Sequence, residues 1–203
     1  PSQDDITQDL SVIGWAKNYL KVRYEKRGNV YLALLHRIDR PVSGVIMLAK
    51  TSKAAARLSK QFQEGKIKKE YIAVTERIPP SPSGRLIHYL KKIPGRNIMR
   101  AYLKEIPHSQ EAILDYEVWK LIGKRALLKI IPHTGRQHQI RVQLASIGCP
   151  ICGDVKYGKT NFLPDLSILL CCYRLTFEHP ILKMDMCIQS QVQYNCLLNK
   201  LKQ

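Results

Sequence analysis

The spacing of apolar positions changes several times along the chain. Over residues 7–24, Leu10, Ile13, Ala16 and Leu20 recur near helical spacing, and Trp15 and Tyr19 widen the stripe, so a helix is expected there. The Arg-Gly-Asn at 27–29 gives its stop. Two apolar runs follow, 30–35 and 45–50, the second reading as a buried strand; a polar, kinked junction, "HRIDRPVSG", separates them. Residues 51–66 predict a second helix, capped by Thr51 or Ser52, with Ala55, Leu58 and Phe62 facing inward and Gly65 ending it. Residues 68–76 read as a strand, 77–84 as a Pro/Ser loop and 88–110 as a basic, turn-punctuated stretch. Alternation returns at 111–122, where Ala112, Leu114, Tyr116 and Val118 share one face; with 125–132 this forms a hairpin across Gly123-Lys124. A third helix is expected within 135–148, starting near Gln137 and closed by Gly148, then a turn at 149–158 and a late strand at 168–180. No repeat or long low-complexity linker divides the chain. The pattern predicts one α+β domain over 1–203, a mainly antiparallel mixed sheet with flanking helices.

Charge narrows the choice of partner. Lys and Arg number 33 against 16 Asp and Glu, a formal charge of +17 on a chain that is 45% hydrophobic. Such an excess repels itself and calls for a polyanion; apolar strands and helices in the same segments distinguish the chain from a disordered basic tail. No stretch approaches the ~18 apolar residues of a membrane span, and no secretory signal is visible. The six cysteines, Cys149, Cys152, Cys171, Cys172, Cys187 and Cys196, follow no familiar framework spacing, so reduced thiols are expected. Cys149 and Cys152 form a Cys-x-x-Cys, half of a zinc site in principle, but "CC" at 171–172 has the wrong spacing for the other half.

Three motifs carry candidate chemistry. Asp39 stands between Arg37 and Arg40, just before Pro41, Ser43 and Gly44. An aspartate there is an ordinary turn residue, or else an ionised carboxylate presented at a sheet rim as nucleophile or base. "PHTGRQHQIRVQL" at 132–144 is either an amphipathic helix with a basic solvent face or a grip in which Arg136, His138 and Arg141 hold a phosphate backbone or a catalytic carboxylate. Tyr71, in "KKEYIAV", is a core tyrosine on residue type alone.

Taken together, "HRIDRPVSGVIMLAKTSKAA" (36–55), "KKEYIAV" (68–74), "HTGRQHQIRVQLASIGCPICGDVKYG" (133–158) and "LLCCYRLTFEHP" (169–180) resemble the RluA-type pseudouridine synthases, in the family's order and over most of the chain. The resemblance implies the pseudouridine synthase fold with a central catalytic cleft. It implies an enzyme that isomerises uridine in structured rRNA or tRNA by breaking the C1′–N1 bond, turning the uracil and rejoining it through C5, with no cofactor and no metal. Asp39 matches the essential carboxylate, Tyr71 the tyrosine that stacks on the target base, and Arg141 the basic partner of the aspartate. Arg37 matches the arginine that fills the gap of a flipped nucleotide, and Arg40, Lys50, Arg136, His138 and Gln139 are implied RNA contacts. Three departures stand out: an earlier Lys-Pro-x-Gly segment, with its one or two strands, is expected upstream of residue 1; Cys171 and Gln143 replace histidines common in the family; and there is no S4-like extension. A monomer is the expected state. The cytoplasm is the expected compartment, a mitochondrion or plastid the alternative. A catalytically idle RNA-binding protein on the same fold is the competing reading.

Overall fold

The computed structural model describes residues 11–158 and 162–191, with Leu197 and Lys200; the predicted helical start at 7–10 and Cys196 lie outside them. The elements are α1 (Val12–Arg23), β1 (Ala33–Leu34), β2 (Ser43–Gly44), β3 (Leu48–Ala49), α2 (Ser52–Gln63), β4 (Lys68–Thr75), β5 (Ser83–Lys92), β6 (Met99–Tyr102), β7 (Gln110–Ile122), β8 (Arg125–Pro132), α3 (Gln139–Ser146), β9 (Leu170–Glu178) and β10 (Asp185–Gln189).

One large sheet runs in the order β10-β9-β4-β8-β7-β5-β6; all its neighbours on that path are antiparallel, and β2 joins it by a parallel pairing to β9. The expected α+β class and mainly antiparallel sheet are therefore observed. β4 is buried over Tyr71, Ile72, Ala73, Val74 and Thr75, as a central strand covered on both faces should be. In β7 the predicted alternation holds, with Ala112, Leu114 and Tyr116 buried.

α2 starts where the sequence placed it, with the Thr51 hydroxyl accepting from Ala54 N–H at 3.1 Å, and Gly65 takes a positive φ just beyond its end. Leu58 is buried beneath it, and the Gln61 amide clamps the end of β9, donating to Glu178 O at 2.9 Å and accepting from Glu178 N–H at 3.1 Å.

Three expectations are corrected. Residues 88–110 hold the end of β5, all of β6 and the start of β7. The run 45–50 gives only the two-residue β3, paired with β1 through Ala33–Ala49 and Leu34–Leu48. On α1, Ala16 alone is buried; Trp15 is 61% exposed and stacks on Tyr19 at 5.5 Å rather than entering the core. Periodicity identifies a face but not what packs on it. Among the described residues, no helix is long and apolar enough to cross a membrane.

Candidate active site

The junction that holds Asp39 is fastened at both ends. Val42 N–H donates to Asp39 O at 2.9 Å and closes a turn over Pro41, while Ile168 N–H donates to Pro41 O at 3.0 Å. Beyond the turn, Val45 N–H reaches Cys172 O at 2.8 Å, laying β2 against β9. On the upstream side, Leu35 N–H donates to Met47 O at 3.3 Å and the His36 Nε2 accepts from Met47 N–H at 3.0 Å.

His36 must be neutral to accept that bond. Burial, reinforced by the Lys69 charge, pulls its pKa down from 6.5 to about 4. An unfolded chain takes up this proton near 6.5 and the folded chain near 4, so between those values the unfolded state binds more protons. The stabilisation is complete above pH 6.5 and is lost as pH falls toward 4; it should amount to about 2 kcal/mol between pH 6.5 and 5. Denaturant midpoints measured across that range should fall with acid, and His36→Gln should flatten the slope. The residual slope comes from His138 and His88, which burial also lowers. An identical slope in the variant would refute the assignment.

Arg141 reaches Asp39 from α3, a short helix in which six residues, Gln139 to Leu144, are buried. Its guanidinium donates from Nη1 to Asp39 Oδ2 at 3.0 Å. The other edge of the same fork donates from Nε and Nη2 to Asp154 Oδ2 and Oδ1, at 2.7 and 2.8 Å. Asp154 is 1% exposed and Arg141 4% exposed, so the carboxylate and cation neutralise one another out of water. Burial opposes the Arg141 charge, but hydrogen bonds and charges of Asp154 and Asp39 outweigh it and hold the pKa raised. The guanidinium also lies over the Tyr157 ring, 5.2 Å from its centroid.

Before α3, His138 adopts a left-handed conformation, φ 53°, uncommon for a non-glycine residue and a feature that clusters at functional sites. Its Nδ1 lies 2.6 Å from Tyr157 Oη, which accepts from Met99 N–H at 2.9 Å. With the phenol hydrogen given to Nδ1, the imidazole keeps its proton on Nε2, 4.0 Å from Asp39 Oδ2. Burial lowers the His138 pKa despite the nearby Asp39, which favours this neutral form.

His36, Asp39, His138 and Arg141 open onto a cleft of about 760 Å³, within the ~300–1,000 Å³ of small-molecule sites. Asp39, Tyr71 and Arg141, far apart in sequence, all line it. Tyr71 follows a bulge in the pairing of β4 with β9 at Glu70/Tyr71, an irregularity that re-aims side chains beside sites. Burial, then the Cys172 thiol and Asp39, push its phenol well above 10, so at neutral pH it is an uncharged ring.

The remaining expected residues divide. Arg37 and Arg136 are exposed and line the cleft, and His138 lines it as a buried residue. Gln139 lines it too, but its amide is committed: Oε1 accepts from Thr134 Oγ1 and Arg136 N–H, at 2.8 and 2.9 Å, and Nε2 donates to Ile113 O at 3.0 Å. Its place is to shape the Thr134–Arg136 turn. Arg40 and Lys50 do not line the cleft; Lys50 sits over the Tyr24 ring, 5.1 Å from its centroid.

Two contributors escaped the sequence reading, Asp154 and Tyr157, and a third, Lys69, reads there only as added charge beside Tyr71. Lys69 lines the cleft beside Gly135, where an added Cβ would lie 3.3 Å from its Nζ, and burial lowers its pKa. Cys149 and Cys152 are buried thiols, and among the described residues no group of three or more His, Cys, Asp or Glu is placed to hold a metal.

The cleft thus brings together a carboxylate held by a buried arginine, a neutral tyrosine ring and several cationic side chains. Residues 2–146 match the family described as RNA pseudouridylate synthase, and the chain belongs to it. It is 38% identical over 139 residues to the ribosomal large subunit pseudouridine synthase C of Buchnera aphidicola subsp. Acyrthosiphon pisum, covering 68% of this chain and 44% of that protein. It is 33% identical over 186 residues to the tRNA pseudouridine synthase C of Haemophilus influenzae, covering 82% of this chain and 77% of that one. The chain thus spans less than half the length of the first of these relatives. In three dimensions it is similar to human RNA pseudouridylate synthase domain containing 4, with a TM-score of 0.77 at 22% identity, covering 100% of this chain and 86% of that one.

Proposed function

We propose that this chain is the catalytic domain of an RNA pseudouridine synthase acting on uridines of structured ribosomal or transfer RNA. The observation that carries the reading is the Asp39 carboxylate, fixed by Arg141 at 3.0 Å on the wall of a cleft shared with Tyr71, in a chain of this family. The target uridine is inaccessible inside a stack and must be extruded into the cleft, at a cost of a few kcal/mol. Tyr71, kept neutral by burial, then offers a ring face to the uracil rather than a phenolate base. Asp39 acts at the ribose or the base, as nucleophile or as proton acceptor, while the C1′–N1 bond breaks and N1 keeps the bonding pair. The uracil turns and bonds C1′ through C5 as Asp39 is released in its starting form; the C5 proton then leaves and N1 takes one up, so the product is an isomer of the substrate. Arg141, through its 3.0 Å hydrogen bond, aims the carboxylate at the reacting atoms. The charge of +17 supplies sequence-independent affinity for the RNA backbone.

The test is to incubate the protein with rRNA and tRNA lacking the modification and to map new pseudouridine by carbodiimide chemistry. New sites support the proposal and identify the RNA. Tight binding without product would favour an RNA-binding protein with no catalysis.

Arg37, exposed on the cleft rim, is suited to fill the vacancy left by the extruded nucleotide. Arg37→Ala should slow turnover on folded RNA by about tenfold and on an unstructured oligomer much less. Equal losses on the two substrates would remove that role.

A further inference from the structure

The aromatics of α1 enter neither the core nor the cleft lining. Trp15 and Tyr19 stack nearly parallel, with centroids 5.5 Å apart and 11° between their planes, and the Arg23 guanidinium lies over the Tyr19 ring at 5.6 Å. These three side chains are spaced by four residues, so each stands one turn beyond the last on the same side of the helix. One turn before Trp15 comes Ser11, the N-cap, whose hydroxyl accepts from Gly14 N–H at 3.1 Å. A serine offers no ring face, so the ladder ends on the exposed Trp15. A depression of about 260 Å³ runs along it, lined by Trp15, Asn18, Tyr19, Val22 and Arg23.

Charge selects what such a face would meet. Residues 12–27 carry Lys17, Lys21, Arg23, Lys26 and Arg27 against one acid, Glu25, and all of these are exposed. At 3.6 residues per turn, Lys17 and Lys21 flank the ladder on the far side of Asn18. A second copy of this chain would set cations against cations, which disfavours pairing. A single-stranded nucleic acid suits both halves of the surface: phosphates meet the lysines, and every base has a π-face that extends an aromatic stack. The Asn18 amide, with donors and an acceptor, is equipped to meet a base edge.

The surface also lies within reach of the cleft. Lys50, which sits over the ring of Tyr24, the C-cap of α1, directly follows β3. The register Ala33–Ala49 puts Leu32 opposite Lys50, and from Leu32 to Arg37 on the cleft is about 17 Å of extended chain. Trp15 is a further ~14 Å along the helix. A strand flanking the target nucleotide can follow that path. We propose that α1 is a second RNA-binding surface, on which an unpaired segment of the substrate stacks a base on Trp15 and sets its phosphates against Lys17 and Lys21. This rests on the reading of the chain as one that acts on structured RNA.

The full chain has two tryptophans, so Trp119→Phe leaves Trp15 as the sole fluorescent reporter. That variant is titrated with a single-stranded oligouridylate and with an RNA duplex of the same length, following emission and its quenching by acrylamide beside filter binding. Acrylamide should reach Trp15 in the free protein. At equal occupancy the single strand should lower both emission and accessibility, and the duplex, whose bases are already stacked, neither. Trp15→Ala should weaken single-strand binding about tenfold, the scale of one base–aromatic stack, while Trp15→Phe keeps most of the affinity. Lys17→Gln/Lys21→Gln should flatten the dependence of log affinity on log salt by about one. Trp15 signals unchanged in a tightly bound complex would overturn the proposal and leave the face to a protein partner. Equal responses to strand and duplex, or full affinity in Trp15→Ala, would overturn it too. So would a Trp15 shielded from acrylamide in the free protein, because the chain would then cover the face itself. A wild type that quenches on RNA but forms no pseudouridine would leave this surface standing and count against the proposed function alone.

Discussion

Asp39→Ala should abolish pseudouridine formation, by at least about 10⁴-fold, the scale on which loss of a nucleophile or base acts in other enzymes. RNA affinity should change by no more than several-fold. Binding comes from cations meeting phosphates, and removing a carboxylate subtracts nothing from that term. The fold should survive, because Arg141 keeps both hydrogen bonds to Asp154 when its 3.0 Å contact with Asp39 is lost. The stability cost should be ~1–2 kcal/mol, that of one charge-assisted hydrogen bond at a partly open site. Carbodiimide mapping beside filter binding and a melting curve separates the three quantities. Product at the wild-type level would end the assignment of Asp39. Loss of binding together with product would point to a collapsed cleft instead of a missing reactive group.

The pairing at the centre of that prediction was legible in the sequence for a particular reason. Asp39 and Arg141 are 102 positions apart, and no periodicity joins them. The motifs around them resemble a family, and the resemblance supplied the pairing. Local physics supplied the frame: the Thr51 cap, the Gly65 stop and the alternation of β7 are short-range signals, and each was found in place.

What stayed hidden is non-local. Asp154 sits in a Gly-Asp turn, where an aspartate is ordinary, and only the packing of α3 against that turn makes it a partner of Arg141. β5 alternates too, with Leu86 half-buried and His88 and Leu90 buried, but a histidine inside and lysines at 91 and 92 obscured the pattern. His88 is accommodated by Gln143 Nε2 and Ser146 Oγ of α3, each 3.2 Å away, contacts that no reading of the strand alone supplies. The aromatics of α1 mark the opposite error: a stripe at helical spacing need not face a core.

Gly44→Ala should be the most damaging substitution among the glycines near the site, although Gly44 itself contributes no reacting group. Its φ of 116° lies where side chains are rarely tolerated, and a Cβ there would fall 2.2 Å from Cys172 O and 2.6 Å from Cys172 N. Both obstacles are backbone atoms of β9, and that strand is held on its other side by β4, so neither can yield cheaply. Strain at such a conformation costs ~1–3 kcal/mol, and forced overlap adds a similar amount. A loss of ~2–6 kcal/mol is therefore expected, a large part of the stability of a marginal domain. Whatever protein folds must push β2 off β9, and the Asp39 turn, closed by Val42 and running directly into β2, moves with it. A displacement of about 1 Å at the carboxylate would lower kcat by ~10²-fold. Gly123→Ala is the matched control: it too has a positive φ, 57°, but nothing lies within 4 Å of its added Cβ, and it turns the β7–β8 hairpin away from the cleft lining. It should cost only ~1–2 kcal/mol, the left-handed penalty alone, with kcat unchanged. Equal melting temperatures and equal kcat for the two variants would mean that close packing of β2 on β9 does not hold the reacting carboxylate in place.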